Sequence, residues 1–557
     1  MSDYQTFNIG EFQVQVDKRL ELWKEQGFSR RLWSKDPTLW FPDIQPEITD
    51  RLGWLSLPEM MQGRLEELVS FADQVKDEGM RHVVLLGMGG SSLAPDVFQK
   101  TFGNDDGYPQ LIVLDSTHPS AVISVEEKLD LKRTLFIVSS KSGTTLETLS
   151  LFRYFWNKVS QAVEQPGWFF VAITDSGTPL QKLALERGFR RVFEADPDVG
   201  GRYSAFTYFG MVPAALIGMN IQRLLDRART AAEDCSSLVS EDKASSLILG
   251  AALGEIAKKR DKLTFFTSSS ISSFPYWLEQ LIAESTGKDG KGILPVAGES
   301  SVPSEDYGQD RLFVFLTLKG EDEREMEERM NALKQAGHPV IQIELKDKFD
   351  LGREIFSWEA AVASAASVLG IHPFNQPDVQ LAKDFTRKAM EQGDQDADET
   401  AVDTWSTDDT EALDQAFKEW LSQARPGDYI CFQAYLAPTP KMTDAFQRLR
   451  LELIKHKRLA TTLGYGPRFL HSTGQLHKGG QNTGLFLQLI DEPGMGLPVP
   501  GSDYDFRSLI KAQAQGDYRA LKERGRRVLR LNLKTNVEKG FETLHSLIQK
   551  TFRLLNS

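Results

Sequence analysis

Short apolar runs separated by longer amphipathic stretches set the pattern of this chain. HVVLLGMGG (82–90), LIVLD (111–115), TLFIVSS (134–140), WFFVAITD (168–175) and RRVFEA (190–195) are each brief, apolar and β-rich, with helical sequence between them. Strands buried on both faces have this character, and strands alternating with helices predict a doubly wound parallel sheet. Helix-rich sequence from Tyr203 to Lys259 leads to a second set: KLTFFTS (262–268), GILPVAG (292–298), LFVFLTL (312–318) and VIQIEL (340–345). A third set follows: YICFQAYL (429–436), GLFLQLI (484–490) and VLRLNL (528–533).

The third set parallels the second. YGQDRLFVFLTL (307–318) answers to GGQNTGLFLQLI (479–490), and ALKQAGHPVIQIELKD (332–347) to ALKERGRRVLRLNLKT (520–535), which reads as a degenerate internal repeat. Residues 1–80 read as helical: positions 11–26 are amphipathic, and 58–79 carry Leu65, Leu68, Val69 and Phe71 on one apolar side. Trp33, Trp40, Phe41 and Trp54 between them are expected to pack on the larger body. EQGDQDADETAVDTWSTDDTE (391–411) is acidic and nearly free of aliphatics, which predicts a solvated linker. The expected fold is therefore α/β: an N-terminal helical segment (1–80), two doubly wound parallel-sheet domains (81–220 and 221–390), the linker, and a third, repeat-like α/β module (412–557).

The 557 residues are 41% hydrophobic and 26% charged, enough for several full cores. Against 78 acidic residues stand 65 Lys and Arg, a net charge of −13, with no dense basic block; nucleic acid is an unsuitable partner. Two cysteines, Cys235 and Cys431, exclude a disulfide framework and argue against a Cys-based metal site. The N-terminus has no basic-then-apolar signal pattern and no run of about 18 apolar residues occurs, so a cytoplasmic protein without a membrane partner is expected.

Two loops at strand ends carry candidate chemistry. GMGGSSLAP (87–95) lacks the third glycine of a dinucleotide fingerprint and the G-K-[ST] of a Walker loop. Its glycines still permit close backbone approach to a ligand. In SSKSGTTLET (139–148) six of ten residues carry a hydroxyl, one is Lys, and a helix follows. Hydroxyls, free amides at a helix start and one cation suit a phosphate monoester; a helix cap needs one such residue, not a cluster. GGRYS (200–204) adds Arg202, QLIAESTGK (280–288) sets Gln280 and Glu284 four apart on one helix face, and FNQPDVQLAK (374–383) sets Gln376 and Lys383 seven apart, again one face if helical.

These five ordered motifs resemble the glucose-6-phosphate isomerase family over residues 80–390, in the form of the isomerase half of transaldolase/glucose-6-phosphate isomerase fusions, which also carry the C-terminal HSTGQLHKGGQN (471–482). No transaldolase barrel fits before position 80. The resemblance implies two sugar-isomerase (SIS) domains and aldose–ketose isomerisation of a sugar phosphate through a cis-enediol, without cofactor or metal. It assigns phosphate to Ser140, Lys141, Ser142 and Thr145, and the sugar to Gly90 and Ser91. Glu284 matches the base, Arg202 the residue beside the enediolate, Gln280 and Gln376 the holders of hydroxyls, and Lys383 the active-site lysine. The chain departs from the family at YGQDRLF, where Asp310 stands in place of the ring-opening histidine. Asp310, His372, His471 and His477 are the candidates for that step. The stretch 471–482 either closes the active site, as a partner subunit does in ordinary members, or is a surface turn. Two other readings remain open here: a noncatalytic sugar-phosphate sensor, and an isomerase of mannose 6-phosphate or an amino sugar phosphate. The oligomeric state is not legible.

Overall fold

The computed structural model describes residues 4–396, 403–494 and 496–556. It contains three five-stranded sheets. The first is built from β2 (His82–Gly87), β3 (Gln110–Leu114), β4 (Thr134–Ser139), β5 (Phe170–Asp175) and β6 (Arg191–Ala195), in the order β3-β2-β4-β5-β6. The second, ordered β1-β10-β9-β7-β8, joins β7 (Lys262–Thr267), β8 (Leu294–Val296), β9 (Arg311–Leu318) and β10 (Val340–Leu345) to β1 (Gln5–Asn8). The third runs β11-β15-β14-β12-β13, from β11 (Thr404–Ser406), β12 (Tyr429–Tyr435), β13 (Ala460–Tyr465), β14 (Gly484–Ile490) and β15 (Arg527–Asn532).

Every pairing is parallel except β1 on β10. In all three sheets the first of four successive parallel strands lies between the second and third, with the fourth outside the third. The first sheet shares this order too, so the common strand order does not by itself distinguish a repeat of the second set in the third. Continuous apolar runs become central strands: β4 and β9 are buried at every position.

Three expectations are corrected. Residues 1–80 are not all helical, because QTFN forms β1 and pairs antiparallel with β10; four residues are too few for periodicity to declare a strand. The helix expected over 58–79 is two, Leu57–Gln62 and Leu65–Asp77, and Val69 is 45% exposed rather than part of the apolar side. The expected linker is partly ordered: the helix Gln380–Asp396 enters it and β11 lies inside it, while 397–402 fall outside the described residues.

The second and third sheets meet at edge strands β8 and β13. Glu299 is buried there, held by Arg311 at 2.9 and 3.2 Å, and it accepts the Thr461 amide at 2.7 Å. Arg450 reaches across to the carbonyls of Ala297 (3.1 Å) and Gly298 (2.8 Å). Fully buried ions persist only with such complete pairing. The short helix Gly474–Gly479 of the third module seats itself against Gly287, where any Cβ would stand 2.4 Å from Leu476 Cα. Gln475 fixes this docking by donating to Gly287 O (3.0 Å) and Asp378 Oδ2 (2.7 Å). The third module is thus seated beside the helix Phe274–Thr286.

Candidate active site

The loops after β2 and β4 leave the carboxyl ends of adjacent strands at the point where chain order reverses, the usual crevice of an open parallel sheet. Gly90 is pressed onto the Arg202 loop: a Cβ on it would lie 2.1 Å from Gly201 O. Ser204 Oγ donates to Gly90 O at 3.2 Å, tying the same two loops. Ser91 is buried, and its carbonyl accepts the Ser139 hydroxyl. In the hydroxyl loop, Ser140 pairs with Thr145 and Ser142 with Thr144, each at 2.9 Å. Thr145 is the N-cap residue of the helix Leu146–Ala162, so first-turn amides open toward the loop. The expected cation is engaged elsewhere: Lys141 Nζ lies 2.5 Å from the half-buried Asp175 carboxylate.

Glu284 sits near the end of the helix Phe274–Thr286 and is 4% exposed. Arg202 Nε is 3.6 Å from its carboxylate, and Gln280 Nε2 is 3.4 Å away from the turn before. Burial raises the Glu284 pKa, while Arg202 and then His471 oppose the rise. Arg202 is itself anchored, donating through Nη2 to the carbonyls of Phe374 and Asn375. Lys288, one turn after Glu284, is almost fully buried and donates to His372 O and to Asn375 O at 2.7 Å. Burial, then the Arg202 charge, push its pKa well below the ordinary value. Arg202 Nη1 and Gln280 Oε1 are buried and have no hydrogen-bond partner among the described residues. Buried polar atoms seldom stay unpaired, so a donor and an acceptor beside a carboxylate mark where ligand oxygens fit.

The third module reaches this cluster. His471 O accepts Gln280 Nε2 at 2.9 Å, the same nitrogen that faces Glu284. His471 Nε2 lies 3.1 Å from Glu147, the first-turn acid of the hydroxyl-loop helix. Burial works to raise the Glu147 pKa, but His471, a backbone hydrogen bond and the Lys383 charge together hold the carboxyl below its usual value. Lys383 is exposed on the helix Gln380–Asp396, and its charge also acts on Glu147.

The other candidates are not brought together here. Asp310 lies at the amino end of β9, 3.4 Å from buried Lys262, its backbone carbonyl taken by the Lys262 amide. His372 is near, but its ring is committed: one nitrogen faces Pro46 O at 2.7 Å and the other accepts two backbone amides. Burial lowers its pKa to about 4, so it is neutral and has no spare proton. His477 packs inside the module against Tyr429 (3.0 Å) and Phe486, with its pKa depressed by burial. Gln376 is exposed and precedes the helix that carries Lys383, so the two do not share a helical face; Pro377 and a 3₁₀ turn intervene. Glu147 and Lys288 were not singled out by sequence, although each lies inside a motif that was. Among the described residues, no cluster of three or more His, Cys, Asp or Glu could hold a metal ion, and no helix is long and apolar enough to cross a membrane.

A carboxylate with a raised pKa beside a fixed cation, joined through Gln280 and His471 to the helix after the hydroxyl loop, is equipped to move a proton on a carbon next to a carbonyl. Residues 64–294 match the family model described as phosphoglucose isomerase. The chain is 29% identical over 385 residues to a glucose-6-phosphate isomerase of Staphylococcus saprophyticus, covering 60% of this chain and 86% of that one. It is 29% identical over 386 residues to one of Mycoplasmopsis pulmonis, covering 61% and 90%. In fold it resembles a hypothetical protein of Thermus thermophilus (TM-score 0.59, 24% identity, 69% of this chain and 99% of that chain). It also resembles a glucose-6-phosphate isomerase of Chlamydia trachomatis (TM-score 0.51, 17% identity, 68% and 83%). The molecule is a sugar-phosphate isomerase. Residues 64–294 match the phosphoglucose isomerase family model and carry that domain.

Proposed function

We propose that the protein interconverts glucose 6-phosphate and fructose 6-phosphate through a cis-enediol(ate). The observation that carries this reading is the buried Glu284–Arg202 pair, at 3.6 Å, with two unpartnered polar atoms beside it and linked through Gln280 and His471 to Glu147 of the hydroxyl-loop helix. The phosphate sits against Ser140, Ser142, Thr145 and the first-turn amides; Gly90 and Ser91 line the sugar. His471, oriented by Glu147, protonates the ring oxygen O5. The anomeric hydroxyl gives its proton to solvent water in the same step, with the Lys383 charge beside the oxygen. Glu284 then removes the C2 proton of the open-chain aldose and returns it to C1; one carboxylate serves both carbons because they are adjacent. Arg202 stabilises charge that exists only around the enediolate, which favours the transition state over the substrate. Gln280 uses its free Oε1 for a sugar hydroxyl.

On this reading the enzyme works in the cytoplasm and needs no cofactor, because a proton moved between neighbouring carbons consumes no redox equivalent. The experiment is to supply purified protein with fructose 6-phosphate and couple product formation to glucose-6-phosphate dehydrogenase. Turnover is expected. Binding without turnover would instead favour a sugar-phosphate sensor.

A further inference from the structure

Gln513 lies on the helix Phe506–Glu523 of the third module and is 2% exposed. Its Nε2 donates to Glu147 Oε1 at 2.8 Å, the same oxygen that takes His471 Nε2 at 3.1 Å. Its Oε1 accepts the Thr117 hydroxyl at 2.7 Å. That second bond sets the amide: with the oxygen occupied by an O–H donor, the NH₂ group must face Glu147. Glu147 is a first-domain carboxylate gripped by two third-module side chains. Neither the Gln513 bond nor the Thr117 bond touches the place where Glu284 works.

We propose that Gln513 is a positioning residue for ring opening: it fixes Glu147, and through Glu147 the orientation of the His471 ring. A carboxylate that receives Nε2–H fixes that nitrogen as a donor and turns Nδ1 toward the substrate, so that with both ring nitrogens protonated the Nδ1–H is the hydrogen given to O5. Without Gln513, Glu147 Oε1 loses one of its two donors, and the His471 ring is held by a carboxylate free to rotate. The consequence is confined to sugars that must be opened. This inference rests on the ring-opening role given to His471 above.

The test separates the two claims by substrate. A four-carbon aldose 4-phosphate has no hydroxyl with which to close a five- or six-membered ring, so it needs Glu284 but not His471. Gln513→Leu is expected to lower kcat on fructose 6-phosphate by about ten- to hundredfold, the range for one hydrogen bond to a charged group. KM should stay within about threefold, and solvent-hydrogen exchange at C2 of the four-carbon substrate should be unchanged. Equal losses on both substrates, or no loss on either, overturn the positioning role. If the leucine variant does not fold, Gln513→Glu, which keeps the length and removes the donor, is read in the same way. His471→Ala is the companion. If it fails to separate the two substrates, the ring-opening reading itself falls; if it separates them and Gln513→Leu does not, only the inference about Gln513 falls.

Discussion

The second sheet and its C-terminal look-alike share strand order, yet they spend their buried surfaces differently. In the second, the helix after the first parallel strand, Phe274–Thr286, buries Glu279, Gln280 and Glu284 among its apolar residues. In the third, the corresponding helix Pro440–Lys457 buries Met442, Phe446, Leu449, Leu453 and Ile454, and its one buried charge, Arg450, serves the junction between sheets. The connection between second and third parallel strands differs the other way. It is a plain loop with a 3₁₀ turn before β9, but before β14 it carries His471 and the helix Gly474–Gly479. One topology thus supplies the candidate base in one copy and the candidate acid in the other. Chemistry has settled on connections and helix ends while the strand frame stays the same.

The largest expected effect breaks the second-sheet side. Glu284→Gln keeps shape but cannot accept a proton, and kcat should fall by about 10²–10⁴-fold with KM nearly unchanged. Steady-state kinetics on fructose 6-phosphate decide it, and a variant keeping a third of the turnover removes Glu284 from the role. Next comes the junction. Glu299→Gln leaves Arg311, which is 0% exposed, as an uncompensated buried charge. Breaking such a pair costs about 3–5 kcal/mol, measurable as a lower midpoint in urea; an unchanged midpoint would mean that the two look-alikes are joined by something else. The phosphate loop belongs to neither copy and serves as a control. Ser142→Ala with Thr145→Ala should raise KM much more than it lowers kcat, and should weaken inhibition by inorganic phosphate.

Burial raises Glu279 to about 8, partly offset by Arg450 and Arg468 of the third module. The folded state therefore holds a proton that the unfolded chain, with the ordinary value of 4.5, releases. The associated stability is complete below that lower value and is lost as pH rises toward 8. Glu279→Gln should flatten this decline, read from denaturation midpoints at the two ends of the window; an unchanged slope would assign the decline to other groups. The smallest effect is Asp310→Asn. With the carboxylate at the amino end of β9 beside Lys262, hexose turnover should change by less than about twofold. A loss beyond tenfold would return Asp310 to the ring-opening step.

Much of this frame was legible. Each short apolar run became a strand, although the edge strands β3 and β6 are only partly buried, and the two aligned strand–helix series took the same strand order. Glu284 and Arg202 were legible because each lies in a short motif whose local structure is fixed by its own residues. What failed depends on direction rather than pattern. His471 and His477 stand six residues apart in one glycine-rich stretch. The first precedes the short helix and faces Glu147, whereas the second lies on the helix side that packs on Tyr429 and Phe486. Gln376 and Lys383 have helical spacing, yet Pro377 delays the helix until Gln380. Gln513 looks like any polar residue on an amphipathic helix, and only tertiary docking gives it Glu147.

The central claim is that one chain completes one site, with Glu284 and His471 contributed in cis. Co-expression of Glu284→Gln and His471→Ala chains, followed by purification of the mixed protein and assay on fructose 6-phosphate, tests it most directly. A site built within each chain leaves every chain with one lesion, so the mixture should show only the sum of the two residual activities. Recovery of about a quarter of wild-type activity, as expected when random pairing of two chains reunites an intact Glu284 with an intact His471, would contradict it.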